Sequence, residues 1–65
     1  MTREEALLYM RIGGTVKHPK LPGKTLGIIN GRVRVRQNGL GFEYSFRTEE
    51  IFKDGWKVVS VDYHL

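Results

Sequence analysis

The chain has 65 residues, no cysteine and a formal net charge of +4, with an isoelectric point near 9.8. That length accommodates one small domain, residues 1–65, and the missing cysteines exclude disulfides and thiolate metal sites. A chain this short buries only about 60% of its unfolded surface, so self-association is a natural source of added stability.

The first predicted element is a short helix from about Arg3 to Arg11. Thr2-Arg3-Glu4-Glu5 is a capping box, Thr2 serving the amide of Glu5 and Glu5 serving that of Thr2. Ala6, Leu7 and Met10 recur at helical spacing, Arg11 suits the C-terminal dipole, and Gly13-Gly14 supplies a left-handed stop. At nine residues such a helix is marginal alone and must dock on a sheet. Thr15 to His18 reads as a short strand ended by Pro19, and Lys20 to Lys24 as a loop turning at Pro22-Gly23.

Leu26 to Phe46 reads as a three-stranded antiparallel meander. Asn30-Gly31 is a strong hairpin signal, because a type I′ turn needs positive φ at both central residues. It pairs Ile29 with Arg32, Ile28 with Val33, Gly27 with Arg34 and Leu26 with Val35. Leu26, Ile28, Val33 and Val35 then share one face, and Arg32, Arg34 and Arg36 share the other. Asn38-Gly39 offers a second turn, after which Phe42, Tyr44 and Phe46 join the apolar face. Thr48 is positioned to cap one helical turn over Glu49 to Lys53, with Asp54-Gly55 as its exit. Trp56 to Val61 is the last strand; Trp56 and Val58 lie on one face and Lys57, Val59 and Val61 on the other, which suits burial on both sides or a subunit contact. The expected fold is α+β, a short N-terminal helix packed on a small antiparallel sheet of about five strands.

Catalytic chemistry is poorly supplied. His18, His64, Ser45 and Ser60 carry no triad or nucleophile-elbow motif, and no histidine–carboxylate cluster has metal-ligand spacing. The expectation is a protein that is not an enzyme and holds no cofactor. No apolar run approaches the roughly 20 residues of a membrane span, and the apolar run after Arg3, Glu4 and Glu5 is too short for a signal-peptide core, so the expected location is the cytoplasm.

Charge distribution speaks more clearly. No acidic residue lies between Glu5 and Glu43, whereas Arg11, Lys17, Lys20, Lys24, Arg32, Arg34 and Arg36 all fall in that span. Alternate residues of a strand stand about 6.5–7 Å apart on one face. Guanidinium groups so spaced can fork onto successive phosphates. Gly27 opposite Arg34, and Gly41 opposite Arg36, would leave backbone open to a ligand. The plainer reading pairs Arg34 with Glu43 across strands and leaves the rest as a solvated face. Phe42, Tyr44 and Phe46 read as core, while Trp56, Tyr63 and Tyr9 are freer candidates to meet a base or ribose, a tryptophan being still more often a core or interface anchor than a ligand contact.

Two segments carry a family likeness. Glu5-Ala6-Leu7 opens a helix that runs into Arg11-Ile12-Gly13-Gly14-Thr15-Val16-Lys17-His18-Pro19, and Tyr44 through Val59 closes with Asp54-Gly55-Trp56-Lys57-Val58. This resembles the Thoeris anti-defence 2-like family of small bacteriophage proteins. Leu21-Pro22 stands where the family usually carries a loop tryptophan, and Gly55 replaces the aspartate before the closing tryptophan. The resemblance implies an α+β domain that assembles into dimers or tetramers in the host cytoplasm and sequesters a cyclic nucleotide or ADP-ribose-type immune signal without cleaving it. On that reading Lys17, Arg32, Arg34 and Arg36 meet phosphates, and His18, Trp56 and Tyr63 contact bases or ribose. Two alternatives stay open: a small basic β-domain binding single-stranded nucleic acid or a DNA backbone, and an inhibitor docking on a host defence protein.

Overall fold

In the computed structural model, which describes residues 1–61, the elements run α1 (Arg3–Arg11), β1 (Gly14–Lys17), β2 (Leu26–Ile29), β3 (Arg32–Val35), α2 (Glu43–Thr48), a short 3-10 turn (Glu50–Phe52) and β4 (Lys57–Val61). The strands form one four-stranded sheet in the order β3-β2-β1-β4, antiparallel throughout. No helix among the described residues is long and apolar enough to cross a membrane.

Local signals explain the first half of the chain. The capping box forms: the Glu5 amide donates to Thr2 Oγ1 at 3.2 Å, and the Thr2 amide donates to Glu5 Oε1 at 2.9 Å. Gly13 takes φ 93° after the helix. Gly14 is then required by contact, since a Cβ there would lie 2.7 Å from the Tyr9 carbonyl oxygen. Asn30 and Gly31 adopt φ 53° and 79°, and the hairpin they close has the expected register, from Leu26 opposite Val35 to Ile29 opposite Arg32.

The third strand of the expected meander is a helix. Only a single bridge, Arg34 to Gly41, continues the sheet beyond β3. The chain then coils from Glu43, burying Phe46 completely, half-burying Phe42 and leaving Tyr44 79% exposed. An apolar pattern at 42, 44 and 46 satisfies period 2, but positions 42 and 46 alone also satisfy the i,i+4 spacing of a helix. The Glu43 carboxylate settles the competition. One oxygen accepts the Arg47 Nε–H at 2.7 Å across one helical turn, and the other accepts the Val33 amide at 2.7 Å. A ladder bond that a third strand would make is thus made by a helical side chain. The expected Arg34–Glu43 pair is absent for the same reason. Thr48 does not cap the following turn either; its hydroxyl donates back to the Tyr44 carbonyl at 2.8 Å.

β4 crosses to the far edge and pairs with β1, Val16 opposite Val58 and Lys17 opposite Lys57, with an irregularity that leaves Val59 as the extra residue before Ser60 meets Thr15. It is therefore an edge strand, not one buried on both sides. The core lies between the sheet and the two helices: Ala6 and Met10 from α1, Phe46 from α2, then Val16, Leu26, Val33, Val35, Phe52 and Trp56. Burying each large apolar side chain contributes about 1.5–3 kcal/mol, and Trp56 lies at the centre, its ring against Phe46, Phe52 and His18.

Candidate anion-binding face

Both helices cover the same side of the sheet, so side-chain alternation leaves the opposite side to solvent. Lys17 pairs with Lys57 on one flank. Because Val16 faces Leu26, Lys17 stands opposite Thr25 on the other flank. The Arg36 amide donates to the Thr25 carbonyl at 2.9 Å. One cross-strand row therefore runs Lys57, Lys17, Thr25, Arg36. Behind it, Arg34 and Arg32 continue along β3, opposite Gly27 and Ile29. Lys17, Lys24, Arg32, Arg36 and Lys57 are exposed, and Arg34 is half-buried.

Among the described residues the ion pairs are Glu43–Arg47 and the Met1 amino group near Asp54. None involves this face. Neighbouring cations, Lys17 beside Lys57 and Arg32 beside Arg34, repel one another within a Debye length of about 8 Å, so an incoming anion gains attraction from several at once. Of the carboxylates with displaced acidities, Glu43 feels the charge of Arg32 at the end of this face, and Glu5 lies on α1. Burial opposes ionisation of Glu43, but hydrogen bonds from Arg47 and the Val33 amide outweigh it and hold the carboxyl below its ordinary value. Glu5 is lowered by its bonds to Thr2.

At the end where β1 runs into the loop before β2, the face sinks into a depression of about 640 Å³. Lys17, Lys24 and Lys57 rim it, and Leu21, Pro22 and Val59 wall it. That volume lies within the range of small-molecule sites. Lys24 counts in the sequence only as part of the basic span, and neither it nor Lys57 is among the expected phosphate contacts. Lys57 shares a parity with Lys17 once β4 pairs with β1, a long-range choice that no local pattern announces.

The other expected contacts are distributed differently. His18 lines the depression but is only 6% exposed. Its Nε2–H donates to the Asp54 carbonyl at 2.7 Å, while Nδ1 accepts the Lys20 amide at 3.0 Å. Trp56 is 1% exposed and its indole N–H donates to the Phe52 carbonyl at 2.7 Å. Both are core side chains within the chain rather than groups presented to a base or ribose. Tyr63 and His64 lie outside the described residues. Gly27 is not open, because Arg36 lies over it: a Cβ there would sit 2.9 Å from Arg36 Nη1. Gly41 faces Arg34, not Arg36. Arg34 turns partly inward, its Nη1 donating to the Gly39 carbonyl at 3.3 Å, with Nε buried and unpartnered.

No family model, curated protein or solved structure matches the chain at a significant level.

Proposed function

We propose that this chain is a non-catalytic nucleotide-binding protein of the anti-defence kind its two end segments resemble, capturing a cyclic nucleotide or ADP-ribose-type signal and holding it unaltered. The observation that carries the reading is the coincidence of Lys17, Lys24 and Lys57 with a depression walled by Leu21, Pro22 and Val59. Ammonium groups at the rim suit phosphate, and an apolar wall suits the body of a base or ribose. Arg36, across Thr25 from Lys17, extends the phosphate contacts along the same row. Sequestration requires affinity and stoichiometry rather than a nucleophile or a general base.

Assembly belongs to the same proposal. The outer edge of β3 is occupied: Val35 donates to the Leu40 carbonyl at 2.8 Å, Phe42 donates to the Val33 carbonyl at 2.9 Å, and Glu43 takes the Val33 amide. Among the described residues nothing pairs with the outer edge of β4, where Val58 and Val59 are 38% and 46% exposed. An edge of this kind favours pairing with the same edge of a second copy, which would close the depression at Lys57 and Val59 from its open side.

To test the binding claim, the protein is incubated with a panel of cyclic nucleotides and cyclic ADP-ribose isomers, freed of unbound ligand and heat-denatured. The expected result is release of one ligand class with its mass unchanged, and retention at least tenfold poorer for Lys17→Gln/Lys57→Gln. Release of nothing, or of a chemically altered compound, overturns the reading.

A further inference from the structure

A ligand of nucleotide size, seated in the depression, leaves part of the cationic face unused. Arg32 opens β3 and Arg36 follows its last residue, about 13 Å apart at a rise of ~3.3 Å per residue. Lys57 lies three strands away from β3, about 14 Å at ~4.8 Å per strand. Between these corners the floor is Thr15, Thr25, Gly27 and Ile29, buried or half-buried, and the Arg36 side chain lies across Gly27. Arg32 and Arg36 are exposed, and no carboxylate among the described residues pairs with either.

We infer that this open sheet face is a second binding site, a lane for the phosphodiester backbone of single-stranded nucleic acid. Arg32 and Arg36 are exposed on one strand face, about 13 Å apart, with the half-buried Arg34 between them held to the Gly39 carbonyl; that span is comparable with two phosphate steps of an extended strand. The cross-strand row ending at Lys17 and Lys57 gives the strand a continued path off β3. A flexible strand can lie along such a shallow face, whereas a rigid duplex curves away after few contacts. The lane carries no aromatic residue among those described, so no base is stacked and no sequence is read. Affinity then comes from counterion release, and it must fall steeply with salt.

The test is fluorescence anisotropy with a labelled 15-nucleotide oligothymidylate from 50 to 200 mM salt. Engaging about four to six phosphates implies a log–log slope of roughly −3 to −4, an affinity loss of about 50- to 300-fold across that range. Arg32→Gln/Arg36→Gln, checked for an unchanged melting curve, should flatten the slope by about 1.4. Arg32→Gln alone should flatten it by about 0.7 while leaving nucleotide retention in the depression unchanged, which separates this lane from the nucleotide site. Absence of binding at 50 mM salt overturns the proposal. So does a slope that the double variant leaves unmoved, or a duplex of equal length that binds as tightly.

Discussion

His18 shows how one side chain can be consumed by structure. The Lys20 amide can only donate, so Nδ1 is the acceptor and Nε2 carries the proton that reaches Asp54. The ring also meets Phe52 and Trp56 edge to face, with centroids 5.1 and 4.8 Å away. His18→Phe would keep the aromatic contacts and strand both backbone partners. We predict a loss of about 1–3 kcal/mol in urea denaturation, with the loop from Lys20 to Lys24 loosened. Trp56→Ala should cost more, about 3–5 kcal/mol, because a buried indole leaves a cavity as well as an unpaired carbonyl. The two tight glycines separate stability from surface chemistry. A methyl at Gly14 meets the Tyr9 backbone, whereas one at Gly27 meets the end of the Arg36 side chain. Gly14→Ala should therefore destabilise by about 1–3 kcal/mol, and Gly27→Ala should spare the fold while displacing Arg36. Equal thermal shifts in the two variants would contradict that assignment.

At the scale of elements, α1 depends on its cap and on the sheet beneath it, whereas α2 depends on Glu43. Thr2→Ala should cost about 1 kcal/mol. Glu43 ties α2 to itself through Arg47 and to β3 through the Val33 amide, and those bonds favour the ionised carboxylate. Its folded-state acidity is lowered, so the stabilisation is fully present above the unfolded carboxyl value. It is lost as pH falls through the folded one. Glu5 acts in the same direction through Thr2. We predict that stability declines as pH drops below about 5 and that Glu43→Gln flattens part of that decline. A pH profile identical in Glu43→Gln and the parent chain would remove Glu43 from this account.

For the whole molecule, segregation matters more than net charge. Among the described residues, carboxylates sit on α1, on α2 and in the segment from Glu49 to Asp54, while the open sheet face is cationic. That face sets both proposed ligand sites, and the unpartnered edge of β4 sets the proposed contact between copies. Val58→Lys places a charge at the edge, on the side facing the helices. If β4 pairs with its own copy, native mass spectrometry should show the parent as a dimer or tetramer and Val58→Lys as a monomer with the same secondary structure. A parent that is monomeric at micromolar concentration removes the edge contact and leaves the depression to bind unaided.

Much of this architecture was legible because it is local. The capping box, the Gly13 stop, the Asn30-Gly31 turn and the parity of Leu26 to Arg36 each depend on residues a few positions apart, and backbone sterics decide them without help from the rest of the chain. Three outcomes were not legible. Phe42 to Phe46 fits a strand and a helix equally well by apolar spacing, and the choice fell to Glu43 reaching the Val33 amide. Trp56 and His18, candidates for ligand contact by type, were drawn into the core by the packing of Phe46 and Phe52. Placement of β4 beside β1 was likewise a tertiary decision, and it alone brought Lys57 and Val59 to Lys17, Lys24 and Pro22. Sequence by itself determined which side chains share a strand face, because alternation is a property of the backbone. Which strands become neighbours, and hence which cations surround one depression, was decided only when distant segments competed to cover the same apolar surface.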